Sequence, residues 1–316
     1  MKPNTRLKLH KFVKKYGKLI FIVLITLIVI YAIDKIVDKL SVSKTPQTSA
    51  TPNISVINSE KAPSKVQKTT ENFVEEFIDY CNSGEYEKAY NLLSDDCKED
   101  RFSTIQEFKD YVKVKFFQSR KYAIQNYSVH NDKYIYNVKL FDDIMATGLT
   151  NSDYKYIEEK IVAFYNEDGK LVYNIGGFIG KEYIQGVQEN EYLKADIKER
   201  YVYYGYEIYK VKLTNRSENI VVIQDGNVEE TEVLLDIGND DKRENVNTNN
   251  IVLAPGESKQ VSMSFNKFYD DGDDSNSIIL NNIRIMNQYT GNEETAEQEI
   301  NNAIDKLSME IGIKVK

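Results

Sequence analysis

The chain has no tryptophan, two histidines and two cysteines among its 316 residues. His10 lies in a basic N-terminal tail, so His130 is the one imidazole left for a catalytic triad or a metal site. A single histidine gives poor support to a histidine-based hydrolase. The segment SVHND (128–132) is typical of a turn between strands, and we expect His130 to be a solvated turn residue.

The two cysteines, Cys81 and Cys97, form no CxxC motif, and no zinc or dithiol redox motif is present. Each is expected to close a helix at its C-terminal end. A helix of about 12 residues would then separate them by roughly 18 Å, whereas a disulfide requires Cα atoms within about 7 Å. We therefore predict two free, buried thiols. An intermolecular disulfide remains an open alternative, because the membrane topology predicted below places both cysteines outside the cell, where disulfides can form.

Charge is distributed unevenly along the chain. Residues 1–18 contain seven lysine and arginine residues and no acidic residue, while the whole chain has a net charge of −8. The remainder is therefore strongly acidic. Binding to nucleic acid requires clustered lysine and arginine, so we expect no nucleic-acid partner for the body of the protein.

An uninterrupted apolar run, LIFIVLITLIVIYAI (19–33), follows the basic tail. With its flanks it predicts a transmembrane helix over residues 19–37, close to the 20 residues or so that a span requires. The positive-inside rule places the tail (1–18) in the cytoplasm and the chain from about residue 40 outside the cell membrane. The expected protein is a single-pass membrane protein with extracytoplasmic domains.

A cleaved signal peptide is the competing interpretation of the same segment. The basic region and the length of the apolar run are compatible with it. Asp34, Lys35, Asp38 and Lys39 occupy the positions where a cleavage site has small residues, which favours an uncleaved signal anchor. No cysteine closes the run, so a lipoprotein anchor is excluded.

The extracytoplasmic part is predicted to consist of a linker and two domains. Residues 38–66 are rich in serine, threonine and proline and indicate a flexible linker. Apolar residues at helical spacing then predict three successive helices, the last with a capping box from Ser103 to Gln106. Strand periodicity follows in KYIYNVKLF (133–141) and in YIEEKIVAFY (156–165), with a hairpin turn at NEDG. Helices followed by an antiparallel sheet predict an α+β fold for residues 67–184.

This order of elements, with ENFVEEFIDYCNSGEYEKAYNLLSDD in front, resembles the NTF2-like superfamily. The resemblance implies a cone of three helices wrapped by a curved antiparallel sheet. The superfamily includes ketosteroid-isomerase-like enzymes and also binding and assembly domains, among them those of VirB8-like secretion and conjugation components. The resemblance implies no cofactor, and it makes self-association through the sheet plausible.

Residues 185–316 are strand-rich. Alternation in YGYEIYKVKLTN and in VSMSF, with a Pro-Gly turn in LAPGES (253–258), predicts a mostly-β, sandwich-like domain. The L.PGES…V.M.F pattern resembles the Ig-like domains of bacterial surface proteins. EETAEQEINNAIDKL predicts a helix near the end and SMEIGIKVK a last strand.

Two further motifs fail as sites. NIGGFIGKE (174–182) lacks the glycine and the serine or threonine of a P-loop, which leaves a glycine-rich strand end. The acidic loop YDDGDDSN, with its carboxylates at residues 270–274, does not follow the EF-hand order, and whether it binds calcium stays open. We predict no metal ligands.

The remaining candidates are aromatic. An NTF2-like enzyme requires a carboxylate base and a proton donor that converge in the cone. Asp79 and Asp110 are chemically suitable, but no catalytic constellation emerges and no catalytic residue is assigned. Residues that could contact a ligand or partner are Tyr80, Tyr90, Tyr111, Tyr203 and Tyr206. The expected function is binding and assembly with envelope proteins, with a small-ligand sensor or carrier as the alternative.

Overall fold

The computed structural model describes residues 53–54, 63–115, 121–141, 156–227, 231–269 and 274–315. The chain divides after Ala50, and all described residues belong to the unit 51–316. The predicted cytoplasmic tail (1–18), the predicted transmembrane helix (19–37) and most of the predicted linker lie outside the described residues. Within the described ranges, no helix combines the length and the apolar character needed to cross a bilayer.

Four helices follow one another at the start of the described chain. They are α1 (Ser64–Ser83), α2 (Tyr86–Asn91), α3 (Asp95–Arg101) and α4 (Ile105–Lys115). The prediction of three helices is wrong, because Ser94 starts an additional one: its hydroxyl accepts a hydrogen bond from the backbone N–H of Cys97 at 3.1 Å. Gly84 is the C-cap of α1, and its φ of 77° is the left-handed conformation that glycine adopts readily. α1 also begins inside the segment predicted as linker.

The extra helix changes the surroundings of the cysteines. Cys97 lies in the first turn of α3 and not at the C-terminal end of a helix, although both thiols are free and buried. Burial raises the pKa of Cys97 to about 11 and the pKa of Cys81 well above its usual value. A buried, protonated thiol is a poor nucleophile, which disfavours an intermolecular disulfide through either residue.

The capping box of α4 lies one residue later than predicted. Ser103 and Gln106 do not form it. The hydroxyl of Thr104 accepts the backbone N–H of Glu107 at 3.3 Å, and the Glu107 carboxylate accepts the backbone N–H of Thr104 at 3.2 Å. Because α4 begins at Ile105, Thr104 is the N-cap and Glu107 is the third helical residue, as the motif requires.

The first sheet packs against these helices. Its strands are β1 (Asn53–Ile54), β2 (Lys121–His130), β3 (Lys133–Phe141), β4 (Tyr156–Tyr165) and β5 (Leu171–Asn174), in that spatial order. β1 is parallel to β2 and the other neighbours are antiparallel. The alternation in KYIYNVKLF places Tyr134, Tyr136, Val138 and Leu140 on one face of β3, and these side chains share a core with Phe77 of α1 and Phe108 of α4.

His130 does not lie in the turn. Asn131 and Asp132 form the turn between β2 and β3, both with positive φ. His130 is the last residue of β2, and its ring lies edge-on against Tyr269, with the centroids 4.8 Å apart. The expectation of a solvated turn histidine is therefore wrong, because the turn begins one residue later.

Two further sheets contain the rest of the chain. Their strands are β6 (Phe178–Glu189), β7 (Leu193–Tyr203), β8 (Tyr206–Asn215), β9 (Ile220–Gln224), β10 (Glu232–Asp236), β11 (Lys242–Glu244), β12 (Ile251–Leu253), β13 (Ser258–Asn266), β14 (Ser277–Met286), β15 (Asp305–Gly312) and β16 (Lys314–Val315). One sheet has the order β13-β8-β7-β6-β16; the other has the order β11-β10-β14-β9-β12, with β15 also paired to β14. Side chains of both sheets form one core. The helix predicted before the last strands is the short α5 (Ala296–Asn301).

The long β6–β7 hairpin belongs to both halves of this unit. Ile179 and Val202 pack with Ile135 and Val162 of the first sheet, whereas Ile197 of β7 lies in the core between the other two sheets. The predicted domain border at 184/185 falls within β6. The expected fold class is confirmed at the level of a mixed α+β protein with mostly antiparallel sheets.

Candidate functional site

Three of the five tyrosines singled out from the sequence lie in one cluster. Tyr111, Tyr203 and Tyr206 gather near the guanidinium of Arg101, together with Phe102. We call these five residues the Arg101 cluster. Arg101, Tyr111 and Tyr203 are partly buried, whereas Tyr206 is 37% exposed. The cluster is therefore open to solvent on one side.

Two helix ends bring the first half of the cluster together. α3 ends at Arg101, Phe102 is its C-cap, and α4 begins three residues later. This short connection places the Phe102 ring 5.3 Å from the ring of Tyr111 on α4. Tyr90 holds the connection, because its hydroxyl donates to the Phe102 carbonyl at 2.9 Å. Tyr90 therefore positions the connection between α3 and α4 and does not line the cluster.

A two-residue hairpin loop supplies the other half. The sequence YVYYGYEIY (201–209) suggests one amphipathic strand, and this is wrong: β7 ends at Tyr203, Tyr204 and Gly205 form the loop, and β8 begins at Tyr206. Residues that flank such a loop lie opposite each other. The rings of Tyr203 and Tyr206 accordingly stack, with centroids 4.4 Å apart and planes 11° from parallel.

The Arg101 guanidinium is held by rings. Its central carbon lies 5.5 Å from the centroid of Phe102, 5.9 Å from that of Tyr111 and 5.5 Å from that of Tyr203, all within the range of cation–π attraction. In the part of the chain that the structure describes, no aspartate or glutamate oxygen lies within 4.0 Å of it. Burial raises the pKa of Tyr203, and the charge of Arg101 opposes this rise, partly through a hydrogen bond.

The carboxylate beneath the cluster already has partners. Glu159 of β4 is almost completely buried. It accepts the Tyr111 hydroxyl at 3.0 and 2.9 Å and the backbone N–H of Gly176 at 2.5 Å, and it pairs with Lys115 Nζ at 3.1 Å. Burial and the charge of Glu159 raise the pKa of Tyr111, so this hydroxyl remains a donor.

Gly176 forms the floor of the cluster. It lies in the turn between β5 and β6, the expected glycine-rich strand end, with a φ of +69°. A Cβ atom here would lie 3.1 Å from both terminal nitrogens of Arg101 and 3.1 Å from the Tyr111 hydroxyl. The absence of a side chain therefore lets the guanidinium and the phenol lie directly on the backbone.

Replacing Gly176 by alanine is expected to destabilise the protein more than replacing Gly169. Both have left-handed φ, which costs a non-glycine residue about 1–2 kcal/mol. Gly169 has open space around it, so Gly169→Ala carries that cost alone, whereas Gly176→Ala must also displace Arg101 and Tyr111. Urea unfolding of the two variants measures the difference. Equal losses would mean that the cluster rearranges without cost.

The fifth candidate, Tyr80, lies apart from the cluster. Its hydroxyl donates to Glu76 at 2.6 Å, and Lys88 Nζ lies 5.2 Å from its ring centroid. Lys88 also lines a surface depression of about 290 Å³ whose other lining residues are Gly84, Glu85, Tyr86, Glu87 and Lys109. The lining comes from the α1–α2 connection, from α2 and from Lys109 of α4.

A second charged group lies at the start of β8 and is internally paired. Glu207, 3% exposed, accepts the hydroxyls of Tyr209 at 2.5 Å and Ser275 at 3.0 Å. Lys267 Nζ lies 3.0 Å from it and Arg200 Nη1 lies 3.6 Å away. Burial acts to raise the pKa of Glu207, but the two cations and the hydrogen bonds outweigh it, and the pKa is lowered. Each charge in this group has an opposite partner.

The sequence pattern did not single out four residues of this site: Arg101, Glu159, Lys115 and Gly176. A signal existed for Glu159, because it falls on the inward face of β4, in phase with Ile161 and Ala163. Arg101 carried no comparable signal, since its environment comes from two helices and a distant hairpin.

The arrangement favours binding over acid–base chemistry. The suggested carboxylates Asp79 and Asp110 are exposed, and Glu159 is bound to Tyr111 and Lys115. Residues 270–273 of the acidic loop lie outside the described ranges, and among the residues within them no three His, Cys, Asp or Glu side chains could hold a metal ion. No protein-family profile, curated protein or solved structure matches this chain.

Proposed function

We propose that this chain is a single-pass membrane protein whose extracytoplasmic part binds other envelope proteins and assembles with them. The basic tail is cytoplasmic and residues 19–37 are the anchor. The first domain is an NTF2-like cone and the second a sandwich-like module, in the manner of a secretion or conjugation component. Self-association through the first sheet belongs to the same proposal.

One observation carries the proposal: the described unit has buried aromatic interiors, and the Arg101 cluster is a cationic and aromatic group that is open to solvent. Phe77, Phe108, Tyr136 and Tyr173 are fully buried between the helices and the first sheet. The Glu207 group is paired internally, whereas the Arg101 cluster faces solvent through Tyr206. Tyrosine and arginine are enriched among the few residues that supply most of the binding energy of protein interfaces.

A small-ligand carrier is the second candidate, because an NTF2-like cone can enclose a ligand. The same four buried rings argue against it, since they occupy the space between the helices and the sheet. A carrier would require these rings to move.

Chemical crosslinking in intact native cells, followed by mass spectrometry of the tagged full-length protein, tests the proposal. We expect a reproducible set of membrane or envelope proteins. Recovery of the protein alone, as a monomer, would contradict it and would direct the search to bound small molecules by native mass spectrometry.

Protease treatment of intact cells, or of spheroplasts where a wall intervenes, tests the orientation separately. Residues 40–316 are expected to be digested while an epitope at the N-terminus stays protected. Protection of the C-terminal part would contradict the extracytoplasmic location, whatever the crosslinking shows.

A further inference from the structure

We propose that the Arg101 cluster is a carboxylate-binding site, and that the carboxylate belongs to a polypeptide partner. The second part rests on the proposed function, and the first part does not. The site combines one guanidinium without an acidic partner among the described residues, a rigid aromatic surround and an open side at Tyr206.

The Arg101 guanidinium is available to a ligand because the neighbouring carboxylate, Glu159, already binds other groups. Arg200, Arg216 and Arg243 each form an ion pair with a carboxylate. Among the described residues Arg101 has no such carboxylate partner, although it is partly buried, and Glu159 is bound by Lys115, Tyr111 and Gly176. Removing an arginine charge from water without an opposite charge is unfavourable, so a bound anion would stabilise this arrangement.

The guanidinium is also oriented in advance. Rings of Phe102, Tyr111 and Tyr203 lie around it, and the Gly176 backbone lies against its terminal nitrogens. Fixing a long side chain before binding reduces the entropy lost when a ligand arrives. The Arg101 guanidinium is thus already oriented before a ligand binds.

The charges favour a monoanion. Arg101 and Lys115 carry positive charge and Glu159 negative charge, which leaves one positive charge in excess at the site. A phosphate dianion would require a second cation, and Lys115 is already paired with Glu159. A carboxylate carries one charge, and its two oxygens match the planar donors of a guanidinium.

The rings indicate what accompanies the carboxylate. Tyr203 and Tyr206 are stacked beside Arg101, and Tyr206 presents its ring to solvent. A flat or apolar group next to the carboxylate would pack on this pair. An aromatic carboxylate is therefore a suitable probe.

Ligand-observed fluorine NMR with 4-fluorobenzoate tests the site on the detergent-solubilised full-length protein. We expect binding of 4-fluorobenzoate and no detectable binding of its neutral analogue, 4-fluorobenzamide. Arg101→Met should weaken binding by about tenfold or more, because it removes charge-assisted hydrogen bonds. Arg101→Lys should restore part of it. Arg216→Met, at a half-exposed arginine outside the cluster, is the matched control and should bind as the wild type does.

Three results would overturn the carboxylate site: equal binding of the amide, unchanged binding by Arg101→Met, or displacement by inorganic phosphate at lower concentration than by benzoate. Circular dichroism of each variant confirms that it is folded. If Arg101→Met does not fold, Tyr206→Ala replaces it, since this exposed ring can be removed without opening the core, and weaker binding is again expected.

A photo-crosslinking amino acid at position 206, in cells, distinguishes the source of the carboxylate. A partner captured at position 206, but not at the exposed control position 165, and lost with Arg101→Met, supports a polypeptide carboxylate. A partner that persists with Arg101→Met would overturn the inference and leave the proposed function standing. Fluorobenzoate binding without any captured partner would retain the carboxylate site, assign it to a free small molecule and contradict the assembly role of this surface.

Discussion

Replacing Glu207 by alanine is expected to lower the free energy of unfolding by about 3–5 kcal/mol, the range for breaking a buried charge pair from one side. The substitution removes the acceptor of the Tyr209 and Ser275 hydroxyls and the partner of Lys267, which is 8% exposed. Arg200 retains Glu182 as a partner. The cost therefore comes mainly from the buried ammonium of Lys267. Urea unfolding at neutral pH measures it.

The matched control is Glu244→Ala, because Glu244 is an exposed glutamate on the short strand β11. Its effect should stay within about 0.5 kcal/mol. The double variant Glu207→Met/Lys267→Met should be more stable than Glu207→Met alone, since it removes both buried charges. If Glu207→Ala lowers the free energy of unfolding no more than Glu244→Ala does, the buried charge group does not stabilise this end of the sheet.

The same group predicts how stability depends on pH. The lowered pKa of Glu207 lies below its ordinary value of 4.5. A carboxyl group with a lowered folded-state pKa contributes stability that is present above pH 4.5 and is lost as the pH falls through the folded-state pKa. The wild type should therefore lose stability in acid, and Glu207→Gln should lose less over the same range. Urea unfolding at about pH 7 and about pH 3 compares the two.

Phe77→Ala is expected to cost about 3–5 kcal/mol, as for other fully buried phenylalanines. Phe77 has no exposed surface, and its ring lies 4.3 Å from the ring of Tyr173 and 6.4 Å from that of Phe108. Removing the ring leaves a cavity between α1 and the first sheet. Thermal or urea unfolding of the full-length protein measures the loss.

Phe268→Ala is the control for this substitution, because Phe268 is 56% exposed. It should change stability by about 0.5 kcal/mol or less. If Phe77→Ala is equally mild, the ring occupies a space that tolerates rearrangement. That outcome would revive the small-ligand carrier, since a movable ring could make room for a ligand.

Local periodicity predicted the strands well. β3 and β4 match the segments chosen from strand periodicity, because apolar and polar side chains tend to alternate along a half-buried strand. Helix boundaries were harder. The second helix was predicted to continue to Cys97, since nothing in the apolar pattern marked Ser94 as a new N-cap.

The site was predictable only in part. The predicted cone indicated Tyr111, and the tyrosine-rich segment 201–209 indicated Tyr203 and Tyr206. Their convergence depends on α4 meeting a hairpin about 90 residues later in the chain. Arg101 was overlooked because a single arginine at the end of an acidic helix has the appearance of a surface residue. Its role in the cluster comes from its neighbours, the surrounding rings and Gly176, and these are brought to it by tertiary contacts that the local sequence does not show.

The β6–β7 hairpin has a thermodynamic consequence. Its strands contribute to two cores: the cluster of Ile135, Val162, Ile179 and Val202 at the first sheet, and the core between the other two sheets. Unfolding either core would break the β6–β7 backbone pairing on which the other core depends. The two halves of residues 51–316 should therefore unfold together in one cooperative transition and not as independent domains. Scanning calorimetry of the full-length protein should show one transition for residues 51–316, and two well-separated transitions would contradict this coupling.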